Sequence, residues 1–118
     1  DYVVDAIDNV TAKIALILKA KKEGANVISS MGMGNKFDPT QIKIDDIYKT
    51  SVCKLAKVMR KELKKRGVTD LKVAYSTEIP VKPLFIAEGN DERTPGSSPF
   101  VPPCAGIIMA GEIIKDLL

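Results

Sequence analysis

Tyr2-Val3-Val4-Asp5-Ala6-Ile7-Asp8-Asn9 is the stretch that decides the fold. A short apolar run, Tyr2 to Ala6, ends in small and acidic residues, as a buried strand does where it leaves a sheet. Asp8 or Asn9 then caps a helix. Val10, Ile14, Ile17, Leu18 and Lys21 recur along it at helical spacing until Gly24 closes it. Asn26-Val27-Ile28-Ser29-Ser30 reads as a second short strand. Strand, helix, strand is the βαβ unit of a parallel sheet, so the chain belongs to the α/β class.

Outward from that unit, Met31-Gly32-Met33-Gly34-Asn35 reads as a loop and Asp38-Pro39 as a turn. Gln41 to Ile47 alternates Ile42 and Ile44 with polar partners, the pattern of a half-buried strand. Residues 51 to 66 spell an amphipathic helix, with Val52, Leu55, Ala56, Met59 and Leu63 as its apolar stripe and Gly67 as its stop. Leu71 to Tyr75 is a further strand. Six prolines and two glycines then fall between Pro80 and Pro103, around a polar run from Glu88 to Ser98. This connection exceeds the roughly 15 residues usual for a structureless loop, which points to function. A last helix runs from about Pro103 to Leu118. Its Ile107, Ile108, Met109, Ile113, Ile114, Leu117 and Leu118 cover more than one face, so burial against a sheet or a partner subunit is expected, and Gly106 and Ala110 permit close packing.

Composition narrows the chemistry. The 118 residues are 45% hydrophobic and 28% charged, which places the chain among globular proteins. With no His, serine–histidine and cysteine–histidine catalysis are excluded from this chain. Two cysteines without His are too few ligands for a structural zinc. No run of 18 apolar residues exists to cross a membrane. No signal peptide is visible at Asp1-Tyr2-Val3-Val4-Asp5, and the expectation is a reduced, cytoplasmic protein. A start at Asp1, in mid-strand, suggests that an N-terminal portion is missing.

Charge is uneven. Lys49 to Arg66 holds eight basic residues and one acid, Glu62; this +7 against +3 for the whole chain leaves −4 elsewhere. On a helix such a stripe either contacts nucleic-acid phosphates or is a solvated face. Asp8 falls just past the C-terminal end of a buried parallel strand, where α/β sheets bind ligands. A carboxylate there can hold Mg²⁺ on a nucleotide's phosphates; helix capping is the plainer alternative. Gly32 and Gly34 form no complete phosphate-binding motif. Cys104 follows Pro102-Pro103 at the expected start of a helix, a setting that lowers a thiol's pKa, although free Cys is more often simply packed. Cys53 has no comparable setting and reads as structural.

Several segments together carry a family resemblance. Asp5-Ala6-Ile7-Asp8-Asn9, followed by Thr11-Ala12-Lys13, resembles the Asp-x-x-Asp-Asn signature of the ubiquitin-activating-like adenylating enzymes. Ser29 to Lys36, Asp38-Pro39-Thr40, Tyr75-Ser76-Thr77-Glu78 and Phe100-Val101-Pro102-Pro103 resemble one branch of them, the tRNA threonylcarbamoyladenosine dehydratases. The resemblance implies a Rossmann-like mixed sheet with flanking helices. It implies use of ATP and Mg²⁺ to adenylate the carboxylate of N6-threonylcarbamoyladenosine in tRNA, which then closes into a hydantoin-type ring. Asp8 matches the family's catalytic Asp, which contacts Mg²⁺ and nucleotide, and Asn9 its neighbouring Asn. Gly32, Gly34 and Asn35 would line the nucleotide pocket. Lys13 falls where many relatives carry Arg. Ile79 to Phe100 would cross over the active site, and Lys57, Lys61 and Lys64 would bind tRNA.

A homodimer is expected, and a sulfur-transfer protein is admitted as a further partner. The family's Gly-rich ATP loop has no counterpart here, so residues 1–118 read as the C-terminal half of one adenylating domain, inactive alone. Two rival functions stay open: activation of a ubiquitin-like or sulfur-carrier protein, and a non-enzymatic α/β module that dimerises through its last helix.

Overall fold

A computed structural model describes residues 1–82 and 96–118. Most of the proline-rich crossover expected over 79–100 therefore lies outside the described residues. Strand β1 (Tyr2–Asp5) pairs parallel with β2 (Asn26–Ser30), and β2 pairs parallel with β4 (Lys72–Ser76). Strand β3 (Ile42–Asp46) joins the other side of β4 antiparallel, giving the order β1-β2-β4-β3. Helices α1 (Val10–Lys22) and α2 (Lys54–Lys65) cover one face of this mixed sheet, and α3 (Val101–Leu117) covers the other.

The side-chain alternation of the strands builds both cores. Val27, Val73 and Tyr75 face α1 and α2, where they meet Ile14, Ile17, Ala56, Met59 and Leu63. Ile28, Ala74 and Ile42 point the other way, to Val101, Ala105 and Met109 of α3. Fully burying a side chain such as Ile17 or Leu63 contributes about 1.5–3 kcal/mol.

Element boundaries differ from the expectations for local reasons. Helix α2 begins at Lys54 and not at residue 51, because Val52 takes φ 68° and the Cys53 N–H donates to the Ser51 carbonyl at 2.7 Å, a three-residue turn. Val52 is accordingly exposed and leaves the apolar stripe assigned to it. Helix α3 begins at Val101, so both prolines fall inside its first turn, where helix N–H groups lack partners anyway. Buried Ser98 accepts from the Val101 N–H at 3.3 Å there. Only one side of α3 is buried: Ile107, Ile114, Leu117 and Leu118 remain exposed. An added Cβ at Gly106 would meet nothing within 4 Å.

The turn between β1 and α1 is fixed from below. Asp5, fully buried at the end of β1, accepts from the Ile7 N–H at 3.1 Å and from Ser29 Oγ of β2 at 2.6 Å. Lys13 of α1, 1% exposed, sets its Nζ 3.0 Å from Asp5 Oδ2 and donates to the Ile7 carbonyl at 3.0 Å. One buried ion pair thus joins two strands, a helix and the turn between them.

At the opposite end of the sheet, α3 is tied down by polar contacts. Tyr2 Oη donates to Asp116 Oδ2 at 2.6 Å, and Lys72 Nζ reaches Asp116 at 2.7 Å and Glu112 at 2.9 Å. The Lys72 hydrogen bond, then that of Tyr2, holds the Asp116 carboxyl below its usual range. Burial, then the Asp116 hydrogen bond, pushes the Tyr2 phenol up to about 12.

Two predictions follow from these contacts. Lys13→Met should destabilise the protein by about 3–5 kcal/mol in urea unfolding, because it leaves the Asp5 charge buried without its cation. Lys13→Arg should recover part of that loss; a Met variant as stable as the parent would show the pair to be dispensable. For Asp116, a lowered folded-state pKa contributes stability that is complete above the unfolded value of 3.8 and disappears as pH falls through the lower folded value. Asp116→Asn should therefore be less stable than the parent at neutral pH, with the gap closing below pH 3.8. A gap that stays constant with pH would remove the carboxylate from the account.

Candidate functional site

A cavity of about 980 Å³ opens at the C-terminal ends of β1 and β2. Asp8 lines it from the β1–α1 turn, and Ser30, Met31, Gly32, Met33, Gly34, Asn35 and Lys36 line it from the end of β2 and the loop that follows. Cys53, Lys54 and Leu55 close a third side from the start of α2, and Ala105 and Met109 a fourth from α3.

Of the residues singled out in the sequence, Asp8, Gly32, Gly34 and Asn35 meet around this one space. Asp8 is exposed, and its carboxylate takes no part in the hydrogen bonds that hold its own turn, which go to Asp5, Asn9 and the Ile7 carbonyl. Asn9 lies outside the lining. It caps α1, its Oδ1 accepting from the Ala12 N–H at 2.9 Å. Lys57, Lys61 and Lys64 are exposed along the outer side of α2, away from the cavity and opposite buried Ala56, Met59 and Leu63.

The loop after β2 is braced from several directions. Asn35, at φ 58°, uses a left-handed conformation that Asn tolerates better than most residues. Its N–H donates to the Gly96 carbonyl at 2.9 Å, and its Oδ1 accepts from the Gly96 N–H at 2.7 Å. Its carbonyl accepts from the Val81 N–H at 2.7 Å. One residue therefore gathers both described ends of the crossover. Glu78 accepts from the Phe37 and Asp38 N–H groups, each at 2.9 Å. The two segments most specific to the resemblance, Gly32 to Thr40 and Tyr75 to Glu78, are thus bonded to each other.

Gly32 makes no demand of its own for a missing side chain. A Cβ there would lie 3.6 Å from Leu55 Cβ and 3.7 Å from Cys53 Sγ, ordinary contacts. The Asp8 carboxylate and the cavity beside it fit a nucleotide with its magnesium. Among the described residues no cluster of three or more His, Cys, Asp or Glu side chains exists to hold a metal. Magnesium here would be held by Asp8 together with phosphate oxygens and water, its usual arrangement on nucleotides.

The cysteines exchange settings relative to the sequence reading. Cys104 falls in the second turn of α3, its N–H already donating to the Phe100 carbonyl, half-buried against the α3 core. Cys53 holds the helix N-terminus, its Sγ accepting from the Ala56 N–H at 3.5 Å, and it is buried in the cavity wall. Lys36 and Lys54 are cavity residues that sequence reasoning passed over. The only signals for them were the neighbour relation of Lys36 to Asn35 and the place of Lys54 at the head of the basic helix.

No family model matches the chain. It is 41% identical over 129 residues to the tRNA threonylcarbamoyladenosine dehydratase of Bacillus subtilis, a match covering 100% of this chain and 51% of that protein. It is 43% identical over 81 residues to the tRNA threonylcarbamoyladenosine dehydratase 2 of Saccharomyces cerevisiae, covering 68% of this chain and 18% of that one. Its fold superposes on the Escherichia coli enzyme TcdA in complex with AMP with a TM-score of 0.81 at 30% identity, over 98% of this chain and 47% of that one. The same enzyme in complex with ATP matches with a TM-score of 0.81 at 29% identity, over 98% and 46%. The chain spans about half the length of these bacterial relatives. With its sequence and its fold both matched across nearly its whole length, the chain belongs to the family of the tRNA threonylcarbamoyladenosine dehydratases.

Proposed function

We propose that a complete protein carrying this chain dehydrates N6-threonylcarbamoyladenosine in tRNA at the expense of ATP. The observation that carries this reading is the exposed Asp8 carboxylate across a cavity from Gly32 and Gly34, in a fold whose E. coli relative is solved with ATP and with AMP. The substrate carboxylate attacks the α-phosphorus of ATP, and pyrophosphate leaves. The carboxyl oxygen has then become part of a good leaving group. A ureido nitrogen of the same side chain attacks the activated carbonyl, loses its proton, and AMP departs with the oxygen. The product has lost the elements of water and gained a ring.

This chain's residues divide the work. Asp8 would hold magnesium, and the metal, when bound, would supply the positive charge that offsets the charge developing on pyrophosphate. The loop carrying Gly32, Gly34 and Asn35 lines the space for the nucleotide. Asn35 holds the two described ends of the crossover, Val81 and Gly96, beside this cavity.

Binding of tRNA falls to α2. Among its basic residues, Arg60 donates to Thr50, and Lys65 and Arg66 pair with Glu62. Lys54, Lys57, Lys61 and Lys64 fall at helical spacing on one side, and the first of them lines the cavity. That stripe leads from the reaction centre along the helix and suits a polyanion. A tRNA substrate supports the cytoplasmic location expected from the sequence. The exposed apolar residues of α3 support the expected homodimer.

Two experiments test this. Asp8→Ala in the full-length protein should abolish ATP–pyrophosphate exchange and leave the unfolding midpoint unchanged, since Asp8 is exposed and its side chain bonds to none of the described residues; normal exchange would end the assignment. Reversal of Lys57, Lys61 and Lys64 to Glu should weaken tRNA binding and flatten its salt dependence, because fewer counterions are released. Binding with an unaltered salt slope would leave those lysines as a solvated face.

A further inference from the structure

Two lysines of this chain are almost completely buried, and they are compensated very differently. Lys13, 1% exposed, has the Asp5 carboxylate at 3.0 Å and the Ile7 carbonyl at 3.0 Å. Lys36, 3% exposed, donates to the Gly32 carbonyl at 2.8 Å. Among the described residues no carboxylate lies within 4.0 Å of its ammonium. An ammonium has three N–H groups to give, and removing its charge from water without an opposite charge is expensive. Lys36 also forms part of the cavity wall that holds Asp8, Gly32, Gly34 and Asn35.

We propose that Lys36 is an anion-binding residue of this cavity, its ammonium completed by an anionic oxygen of the bound reactants. This rests on the adenylation reading above. The Gly32 carbonyl fixes where the ammonium lies, and the four-residue span from Gly32 to Lys36 keeps it against the loop that the nucleotide would approach. Asp8 lines the cavity from a different element, so a carboxylate suited to the metal and a cation suited to an oxyanion enter the site from separate walls. The oxyanion has two sources in the reaction: the nucleotide's phosphate, and the substrate carboxylate that joins it.

The test uses the full-length protein with Lys36→Gln, which keeps an N–H donor and loses the charge, and Lys36→Arg, which keeps the charge. Adenosine, AMP and ATP are titrated calorimetrically, and KM for tRNA is measured alongside. Loss of one charge-assisted hydrogen bond should weaken AMP and ATP by about tenfold or more in K36Q. Adenosine should be unaffected and K36R should recover most of the loss; that result assigns the phosphate. Unchanged nucleotide binding with KM for tRNA raised about tenfold assigns the carboxylate, again with recovery in K36R. If adenosine weakens as much as AMP, or if none of the four quantities moves, Lys36 is only a brace for its loop and the proposal fails. A parent protein that binds neither AMP nor ATP would instead bring down the adenylation reading itself.

Discussion

The position of the whole site follows from one buried carboxylate. Asp5 ends β1 at zero exposure and gathers the Ile7 amide, the Ser29 hydroxyl and the Lys13 ammonium. Burying an ion pair gains little net stability, because desolvation offsets the attraction; apolar side chains of the same size often do as well. Direction is what apolar side chains would not supply. Three donors from three elements meet one carboxylate, and the turn that follows has no second way to lie. Asp8 is three residues further on, at the end of that turn, and it lines the cavity with no side-chain hydrogen bond to the described residues.

The rest of the cavity is assembled on the same plan, with loops held by polar groups on neighbouring strands. The Met31 N–H donates to the Ala74 carbonyl at 2.8 Å, which extends the β2–β4 pairing into the start of the glycine loop. Glu78, just beyond β4, holds the far end of that loop at Phe37 and Asp38. Thr77 Oγ1 donates to Gln41 Oε1 at 3.1 Å beside it. Strand β4 therefore carries both the centre of the sheet and the support of the loop. Its antiparallel partner β3 brings Asp38 to Gln41 within reach of Glu78, a role that a parallel strand entering from the opposite end would not fill.

Much of this was legible in the sequence, and what was not has a physical pattern. Strand and helix periods placed the four strands and three α-helices of the described residues to within a few residues, because the alternation in β3 and the Ala56-Met59-Leu63 spacing report local geometry directly. Although the first strand proves to be an edge strand with Val4 exposed and not a buried one, the place of Asp8 at the cavity was legible because Asp8 follows that strand in a βαβ unit. Lys13 and Ser29 were not: a lysine on an amphipathic helix reads as solvated, and only the packing of α1 on the sheet turns it toward Asp5. Cys53 was missed for the same reason in reverse, since its helix terminus depends on the left-handed Val52, which no propensity favours. The exposure of Ile107 and Ile114 on α3 is likewise invisible to a count of apolar residues, which measures how much a helix must bury and not what lies opposite it.

Helix α2 ties the chemistry to the charge. Its first turn walls the cavity through Cys53, Lys54 and Leu55, while its buried side locks it to α1 and the sheet. The position of its outer lysines relative to the reaction centre is therefore set by a rigid element and not by a loop. From Lys54 to Lys64 the helix advances about 15 Å at 1.5 Å per residue. A polyanion lying along that side would meet positive charge spaced by the helical repeat and would reach the cavity at one defined end. On this helix the basic residues nearest Glu62 are paired with it and Arg60 is turned to Thr50, which leaves Lys54, Lys57, Lys61 and Lys64 as its outward stripe. The remainder of the chain is at −4, so the net positive charge is concentrated on residues 49–66. In the proposed reading, a bound polynucleotide would run along that stripe to the cavity that the start of the same helix helps to wall.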